Sequence, residues 1–291
     1  MLSTNQWLTQ LLTPNRLIEI VDIGANPIDG KPPYQSLLIA QIARVTGFEP
    51  QPAAFELLNS QQHSFQRYLP YAIADGHKQH LHICQASGMT SLLQPNYSQL
   101  HLFKSFADFG KIQQQIEIQT QRLDDIQEIT HLDFLKMDIQ GSELQVLIHG
   151  QQKLAHTVMI QTEISFIPLY HQQPLFSELD QQLRKMGFIP HAFAELKSWS
   201  LNTTAKSPAF HSKQLLEADM IYIRDLSHSE QLSNQQLSYL ALIAHCCYQS
   251  FDLTAYCLFL LEQRGVIFFG SQQQYFDQLT TDISVVHSAV T

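Results

Sequence analysis

The sequence predicts an α/β fold, a mostly parallel sheet covered by helices and closed at one edge by an antiparallel strand. Three observations lead there. Short apolar runs alternate with helically spaced stretches from residue 17 to residue 186, the order that builds parallel strands through helical crossovers. Two later apolar runs, 188–193 and 219–224, have no helix between them, which sets an antiparallel edge. Hydrophobic residues make up 44% of the chain and charged residues 15%, a balance that excludes a disordered polypeptide. At 291 residues the chain can bury a core without disulfide or metal staples.

Each element has a local reason. Residues 4–12 read as a short helix leading into a first strand at 17–23. Asp29-Gly30 is a turn signal within a loop over 27–33. Pro33 suits the first position of a helix, in which Tyr34, Leu37, Leu38 and Ile42 keep one face. A strand over 45–49 precedes a helix over 52–60. Residues 67–74 and 79–84 read as strands, 86–110 as a loop with short helical pieces over the sheet edge, and 115–120 as another strand. The strand 134–138 stops before Gly141, and Ser142-x-x-Gln145 has the capping-box pattern for a helix through Ile148. A strand over 157–164 ends at Glu163. A helix over 174–186 stops at Gly187, the glycine expected at a helix C-terminus. A loop is expected across 197–213.

From residue 231 the pattern becomes purely helical. Leu237, Leu240, Ala244, Cys247 and Tyr248 share a stripe, and 253–263 reads as a second helix ending near Gly265. The expected organisation is a main domain over 1–227 and a helical appendage over 228–291, which packs on the sheet, pairs two copies in a homodimer, or covers the site.

Bulk properties narrow the partners. A net charge of −9 argues against non-specific nucleic-acid binding, which needs a basic footprint. No apolar stretch reaches the length of a membrane span, and the first residues lack a signal-peptide pattern. The four cysteines show no CxxC spacing, so reduced thiols and a cytoplasmic location are expected. The fourteen histidines are scattered, no HExxH appears, and no required metal is expected.

The most informative segments are Ile20-Val21-Asp22-Ile23-Gly24-Ala25-Asn26 and Gly47-Phe48-Glu49-Pro50. The first is an apolar strand that stops at a glycine turn and carries one acid. The second is a strand that ends on another. A strand, glycine turn, helix and acid-tipped strand make a nucleoside pocket in open α/β sheets. Bare backbone approaches the ligand, and the second acid can accept both ribose hydroxyls.

With Arg122-Leu123-Asp124-Asp125 and Leu135-Lys136-Met137-Asp138-Ile139-Gln140-Gly141-Ser142-Glu143 added in order, the sequence resembles the FkbM-type methyltransferases over about residues 17–190. The resemblance implies a Rossmann-like class I methyltransferase fold of seven strands and S-adenosylmethionine as cofactor. It implies that Asp22 and the Gly24-Ala25-Asn26 backbone hold the methionine end, that Glu49, followed by Pro50, takes the ribose, and that Ala72 and Ile73 border the adenine. Ser91, in Met89-Thr90-Ser91-Leu92, is either a cofactor contact or a turn cap. The chain departs from the family pattern at Ile28, where a glycine is usual, and at Gln140, where an acid is usual.

A sugar-type hydroxyl is barely acidic, so a carboxylate that accepts its proton would help its attack on the methyl group. Asp138, at a strand's carboxyl end, is a candidate for that role and for cofactor binding; Glu143 and Glu163 are the other two. Glu143 has an alternative as a helix-dipole acid, and Glu163 as the partner of a buried cation. Lys136 is either a paired edge lysine or a site residue. Tyr170 and His171 lie in a loop that could face substrate, and the acceptor loops are expected at 86–110 and 195–213. The reading is an O-methyltransferase acting on a hydroxyl of a sugar, glycolipid or secondary metabolite. A nicotinamide-dependent oxidoreductase is the first alternative, weakened by the absence of GxGxxG after the first strand. The second is a cofactor-binding scaffold without transfer activity.

Overall fold

A computed structural model describes residues 3–26, 30–203 and 213–289, with side chains through residue 281. Ile28, the Asp29 turn and most of the expected 197–213 loop lie outside the described residues. In chain order the strands are β1 (Ile18–Ile23), β2 (Ala43–Phe48), β3 (Gln66–Leu69), β4 (Lys78–Cys84), β5 (Ile112–Gln119), β6 (Phe134–Met137), β7 (Met159–Ser165), β8 (Phe188–Trp199) and β9 (Gln214–Arg224). The α-helices are α1 (Thr4–Leu12), α2 (Gln35–Ile39), α3 (Pro52–Ser60), α4 (Tyr97–Leu100), α5 (Phe106–Phe109), α6 (Glu143–Ile148), α7 (Gln151–Leu154), α8 (Phe176–Lys185), α9 (Asn234–Tyr248), α10 (Phe251–Gln263) and α11 (Ser271–Ala289).

The chain divides into two compact units. One comprises residues 19–30 and 45–225, and the other residues 1–18, 31–44 and 226–291. The first holds a seven-stranded sheet in the order β3-β2-β1-β6-β7-β9-β8. The pairs β2–β3, β1–β6 and β6–β7 are parallel, while β9 runs antiparallel to both β7 and β8. This is the expected mostly parallel α/β architecture with antiparallel pairing at one edge, where β9 is inserted between β7 and the edge strand β8. Every residue of β7 is buried, as suits a central strand covered on both faces. Val21, Ile23, Leu135 and Met137 join Val146, Leu147, Leu179 and Leu183 of α6 and α8 in one core. Cys84, Met89, Leu100, Phe103, Phe106, Leu169 and Tyr170 form a second cluster under the 86–110 segment.

The structure corrects five details of the sequence reading. The strand expected over 67–74 ends at Leu69, because Pro70 has no N–H to continue the ladder. β4 and β5 leave the main sheet and pair antiparallel as a separate ribbon, since the segment joining them holds only short helical turns and no crossover helix. Ser142 makes no side-chain cap. The Gln145 N–H goes to the Ser142 carbonyl at 3.0 Å, and Glu143 fastens the turn before the helix, its two oxygens accepting the N–H groups of Ile139 (3.0 Å) and Gly141 (2.9 Å). β8 continues through Trp199, and β9 starts at Gln214 rather than 219, so Lys197, expected in a loop, is a cross-strand partner of Glu217 in the sheet.

In the second unit α9 packs against α1, α2 and α10, and α11 against α1 and α10. Buried His245 binds Tyr275 Oη and Asn5 Oδ1, both at 2.7 Å. The stripe residues Leu237, Leu240 and Ala244 are fully buried.

Gly24 makes the centre of the sheet possible. Its φ is +82°, and a Cβ there would lie 2.0 Å from the Asp138 carbonyl oxygen. Its N–H reaches Phe48 O at 3.0 Å while Asp138 N–H reaches Ile23 O at 3.0 Å. The ends of β1, β2 and β6 thus converge on a residue without a side chain. Gly24→Ala combines a left-handed backbone with a clash against main chain, and is expected to cost of order 3 kcal/mol. Thermal and urea unfolding check this; an unchanged melting temperature would refute the packing argument.

Candidate functional site

A cavity of about 220 Å³ opens at the carboxyl ends of the parallel strands, where open α/β sheets place ligands. Gly24 and Asn26 after β1, Glu49 and Pro50 after β2, Ala72 and Ile73 after β3, Ser91, and Asp138 after β6 all line it. Most of the residues singled out from the sequence are therefore gathered on one wall. Asp22, Ala25, Glu143 and Glu163 are not on that wall; they are buried around it.

The two early acids differ. Glu49 is 5% exposed and faces the cavity. Its Oε1 accepts the Gln51 N–H at 2.8 Å, which turns the carboxylate back over the start of α3. Burial pushes its carboxyl up to about 7; the Gln51 N–H opposes the shift, and the nearby Asp22 charge adds to it. Asp22 is paired with Lys136 Nζ at 3.2 Å. Those two residues face each other in the β1–β6 register, so the unusual lysine of β6 has a buried counter-ion. Burial opposes the Lys136 charge, but Asp22 and then Asp138 outweigh it and hold the ammonium above its ordinary value.

The turn after β6 is built around Gln140, whose φ is +56°. Its Nε2 donates to Asp138 Oδ1 at 2.9 Å and to Glu163 Oε2 at 2.8 Å. The two carboxylates set the amide orientation, and the Tyr170 hydroxyl, within reach of both Gln140 Oε1 (3.0 Å) and Met89 O (3.1 Å), shares its proton between them. Gln140, noted from the sequence only as a departure, is thus the clamp between two carboxylates. Glu143 fastens the same turn from behind through Ile139 and Gly141, and burial pushes its carboxyl up to about 7 despite those N–H groups. Ser91 caps its turn, its Oγ donating to Gln140 O at 2.8 Å and accepting from Leu93 N, and it also lines the cavity. Tyr170 is fully buried behind the wall and His171 is exposed, so the expectation that this pair faces a substrate fails; Leu169 reaches the cavity instead.

The segments 86–110 and 195–213, expected from the sequence as acceptor loops, do reach the cavity, but beyond Met89-Thr90-Ser91-Leu92 the sequence singles out none of the individual residues that line it there, and Glu217 lies outside both. Lys197 and Trp199 of β8 and Glu217 of β9 line the cavity together with Tyr71, Phe106 and Phe109. Lys197 Nζ lies 3.3 Å from Glu163 Oε1, 3.5 Å from Glu217 Oε1 and 3.8 Å from Asp219 Oδ1. Burial, and then neighbouring Asp138, raise the Glu163 carboxyl well above its usual range; burial likewise raises Glu217 and Asp219, with Lys197 pulling back. The available signal was the period-two alternation of Glu217 and Asp219 with buried Leu216 and Ala218, which places both acids on one face of a strand.

Among the described residues, Asp138, Glu163 and Asp219 form the one acidic group with metal-ligand spacing, their oxygens within 4.8 Å of one another. They come from three strands, so no local motif announces them. Contrary to the expectation of no histidine pair at ligand spacing, His80-Leu81-His82 is an HxH, but no third ligand joins it among the described residues.

Residues 22–190, more than half the chain, match the model of the methyltransferase FkbM domain. The chain belongs to that family. No curated protein matches the sequence significantly. Among solved structures, the magnesium protoporphyrin IX methyltransferase of Synechocystis shares 10% identity at a TM-score of 0.35, covering 76% of each chain. The precorrin-6y C5,15-methyltransferase of Geobacter metallireducens shares 10% at 0.35, covering 76% of this chain and 87% of its own. A mutant of MtNAS shares 10% at 0.31, covering 74% of this chain; this chain spans 56% of the length of that one. The family assignment rests on the sequence match alone.

The Glu49 carboxyl has a consequence for stability. The folded protein holds its proton up to about pH 7, against 4.5 for the ordinary group. The stability tied to that proton is fully present below about pH 4.5 and is lost as pH rises through about 7, up to about 3 kcal/mol. Glu49→Gln cannot ionise. It is expected to raise the melting temperature of the ligand-free protein at about pH 8 and to change it little at about pH 5. Melting curves across that range check the sign; an equal effect at both ends would remove the titration argument.

Proposed function

We propose that this methyltransferase-family protein carries a methyl group from S-adenosylmethionine to a hydroxyl oxygen of a sugar, glycolipid or secondary metabolite. The observation that carries the reading is the cavity bounded by Glu49 beyond β2 and Asp138 beyond β6, with the bare Gly24 backbone between them. Its residues suit that cofactor. A carboxylate faces the cavity where two ribose hydroxyls need an acceptor, and Pro50, Ala72 and Ile73 offer a border for a flat base.

When bound, the cofactor supplies a methyl group on a positively charged sulfur, a leaving group that needs no activation. The chain's own residues bind, align and exclude water. In this reading Glu49 accepts from the ribose and the Gly24 and Asn26 backbone meets the amino-acid end, while Asp22, buried behind the wall and paired with Lys136, braces that turn without reaching the cavity. Ser91 braces the wall beside Gln140. Asp138 is the carboxylate of the original three that reaches the cavity, and is assigned to accept the hydroxyl proton as oxygen attacks. Glu143 and Glu163 support it, the first by fastening its turn and the second through the Gln140 amide. The transfer function is assigned to the expected 1–227 region, within it to the compact unit of residues 19–30 and 45–225, and the helical appendage over 228–291, with which residues 1–18 and 31–44 group, is a candidate homodimer contact. A cytoplasmic location is consistent with the free thiols of Cys84, Cys246, Cys247 and Cys257. No helix of the described residues is long and apolar enough to cross a membrane.

Calorimetry with S-adenosylmethionine and its demethylated product tests the cofactor. The wild-type protein is expected to bind both, and Glu49→Ala to weaken binding by about 1–3 kcal/mol. No binding by wild type would remove the reading, and unchanged affinity in the variant would move the ribose site elsewhere. Labelled methyl transfer into a cell extract, followed by mass spectrometry, tests the chemistry: product formation surviving Asp138→Asn would reject the base assignment.

A further inference from the structure

Where Asp138 meets β7 and β9 beside the cavity, the structure presents an unusual charge arrangement. Asp138, Glu163 and Asp219 place oxygens within 4.8 Å of one another, roughly the span of ligands around a divalent ion with metal–oxygen distances near 2.0–2.6 Å. Glu217 stands beside them on the same face of β9. A cluster of this kind repels itself in a partly dry site and needs positive charge close by. The Lys197 ammonium already supplies it, lying 3.3, 3.5 and 3.8 Å from Glu163, Glu217 and Asp219.

We infer that Lys197 is a positioning residue that acts as the site's built-in cation, holding these carboxylates in the arrangement that a divalent ion would otherwise impose and keeping such an ion out. Three features carry this. The lysine is in register with Glu217 on the antiparallel pair β8–β9, so its stem is fixed by the sheet and is not a free surface arm. Its side chain is only a quarter exposed. It also lines the cavity, so the charge that orders the carboxylates also faces whatever enters. Burial alone would lower the ammonium's proton affinity, but Glu163 first, then Glu217, Asp138 and Asp219 reverse that and hold it well above its ordinary value. The cation is therefore permanent across the physiological range. Asp138 and Glu163 lie within the 22–190 family match, and residues 197, 217 and 219 beyond it. A hydroxyl losing its proton beside Lys197 would meet positive charge from the protein itself; this last step rests on the transferase reading above, and the electrostatic assignment does not.

Manganese titration of the ligand-free protein at about pH 8, followed by calorimetry and by the free-ion paramagnetic resonance signal, tests the assignment. Wild type and Lys197→Arg, which both keep the cation, are expected to bind manganese no more tightly than other surface carboxylates do. Lys197→Met, which keeps the stem and loses the charge, is expected to gain a site roughly tenfold or more tighter. Adding Glu163→Gln to that variant should abolish the gain. A purely structural lysine would lower stability in Lys197→Met without creating metal affinity, and a folded Lys197→Met with wild-type manganese binding overturns the inference. Should Lys197→Met unfold, the wild-type titration still decides, because tight manganese binding that Glu163→Gln abolishes would show that the ammonium does not hold the place. Titrating the same samples with S-adenosylhomocysteine separates this outcome from failure of the cofactor reading, which would show as no binding by wild type.

Discussion

Two lysine ammonium groups inside the sheet make the carboxylate-rich site of this protein possible. Lys136 on β6 neutralises Asp22 on β1, and Lys197 on β8 stands among Glu163, Glu217 and Asp219 on β7 and β9. Ionised carboxylates cost several kcal/mol each to desolvate, and that cost is offset only by close partners of opposite charge or by hydrogen-bond donors. Asp138, just past the end of β6, feels the charge of both lysines at longer range and takes its direct hydrogen bond from the neutral Gln140 amide. The result is a sheet whose carboxyl ends can carry acids strand after strand without forcing the strands apart. Loss of either lysine would leave a buried anion without its counter-charge.

The hydrogen-bond pattern gives the acids distinct duties. Glu143 spends both oxygens on the backbone of its own turn, and Glu163 spends one on Gln140 and the other on Lys197. Groups so engaged are well placed to hold geometry and poorly placed to exchange protons with a ligand. Asp138, Glu49 and Glu217 reach the cavity. Position on the wall thus sorts the carboxylates more sharply than proton affinity does, because burial raises Glu49 and Glu143 to about the same value, about 7, although only Glu49 faces the cavity.

Local pattern made the first half of this site legible. An apolar run ending at Gly24, an acid at the tip of the next strand, and an acid at the tip of β6 are each contiguous in sequence, and the parallel order β2-β1-β6 brings their ends to one side. The second half depends on pairing across strands. Lys197 sits where the alternation along 188–199 is weakest: the burial pattern reads intermediate or exposed for most of that strand, so a loop was the natural expectation. Its place in the sheet follows from β9, whose acids Glu217 and Asp219 share the face of Glu163 through the β7–β9 register. Register of this kind is a tertiary property and leaves little mark in either segment alone.

The Gln140 departure shows the same limit from the other side. Read as a missing acid, it weakens the case for chemistry. In the fold its amide offers two N–H donors to two acids, and its carbonyl lies within reach of a buried tyrosine hydroxyl. An acid at that position would have no N–H to give and would add charge beside Asp138 and Glu163, which already press on one another. With Lys197 committed to the other side of Glu163, a neutral donor is the residue type that leaves the cluster balanced. The substitution and the lysine are therefore coupled parts of one electrostatic solution, and judging either from a one-dimensional pattern misreads both.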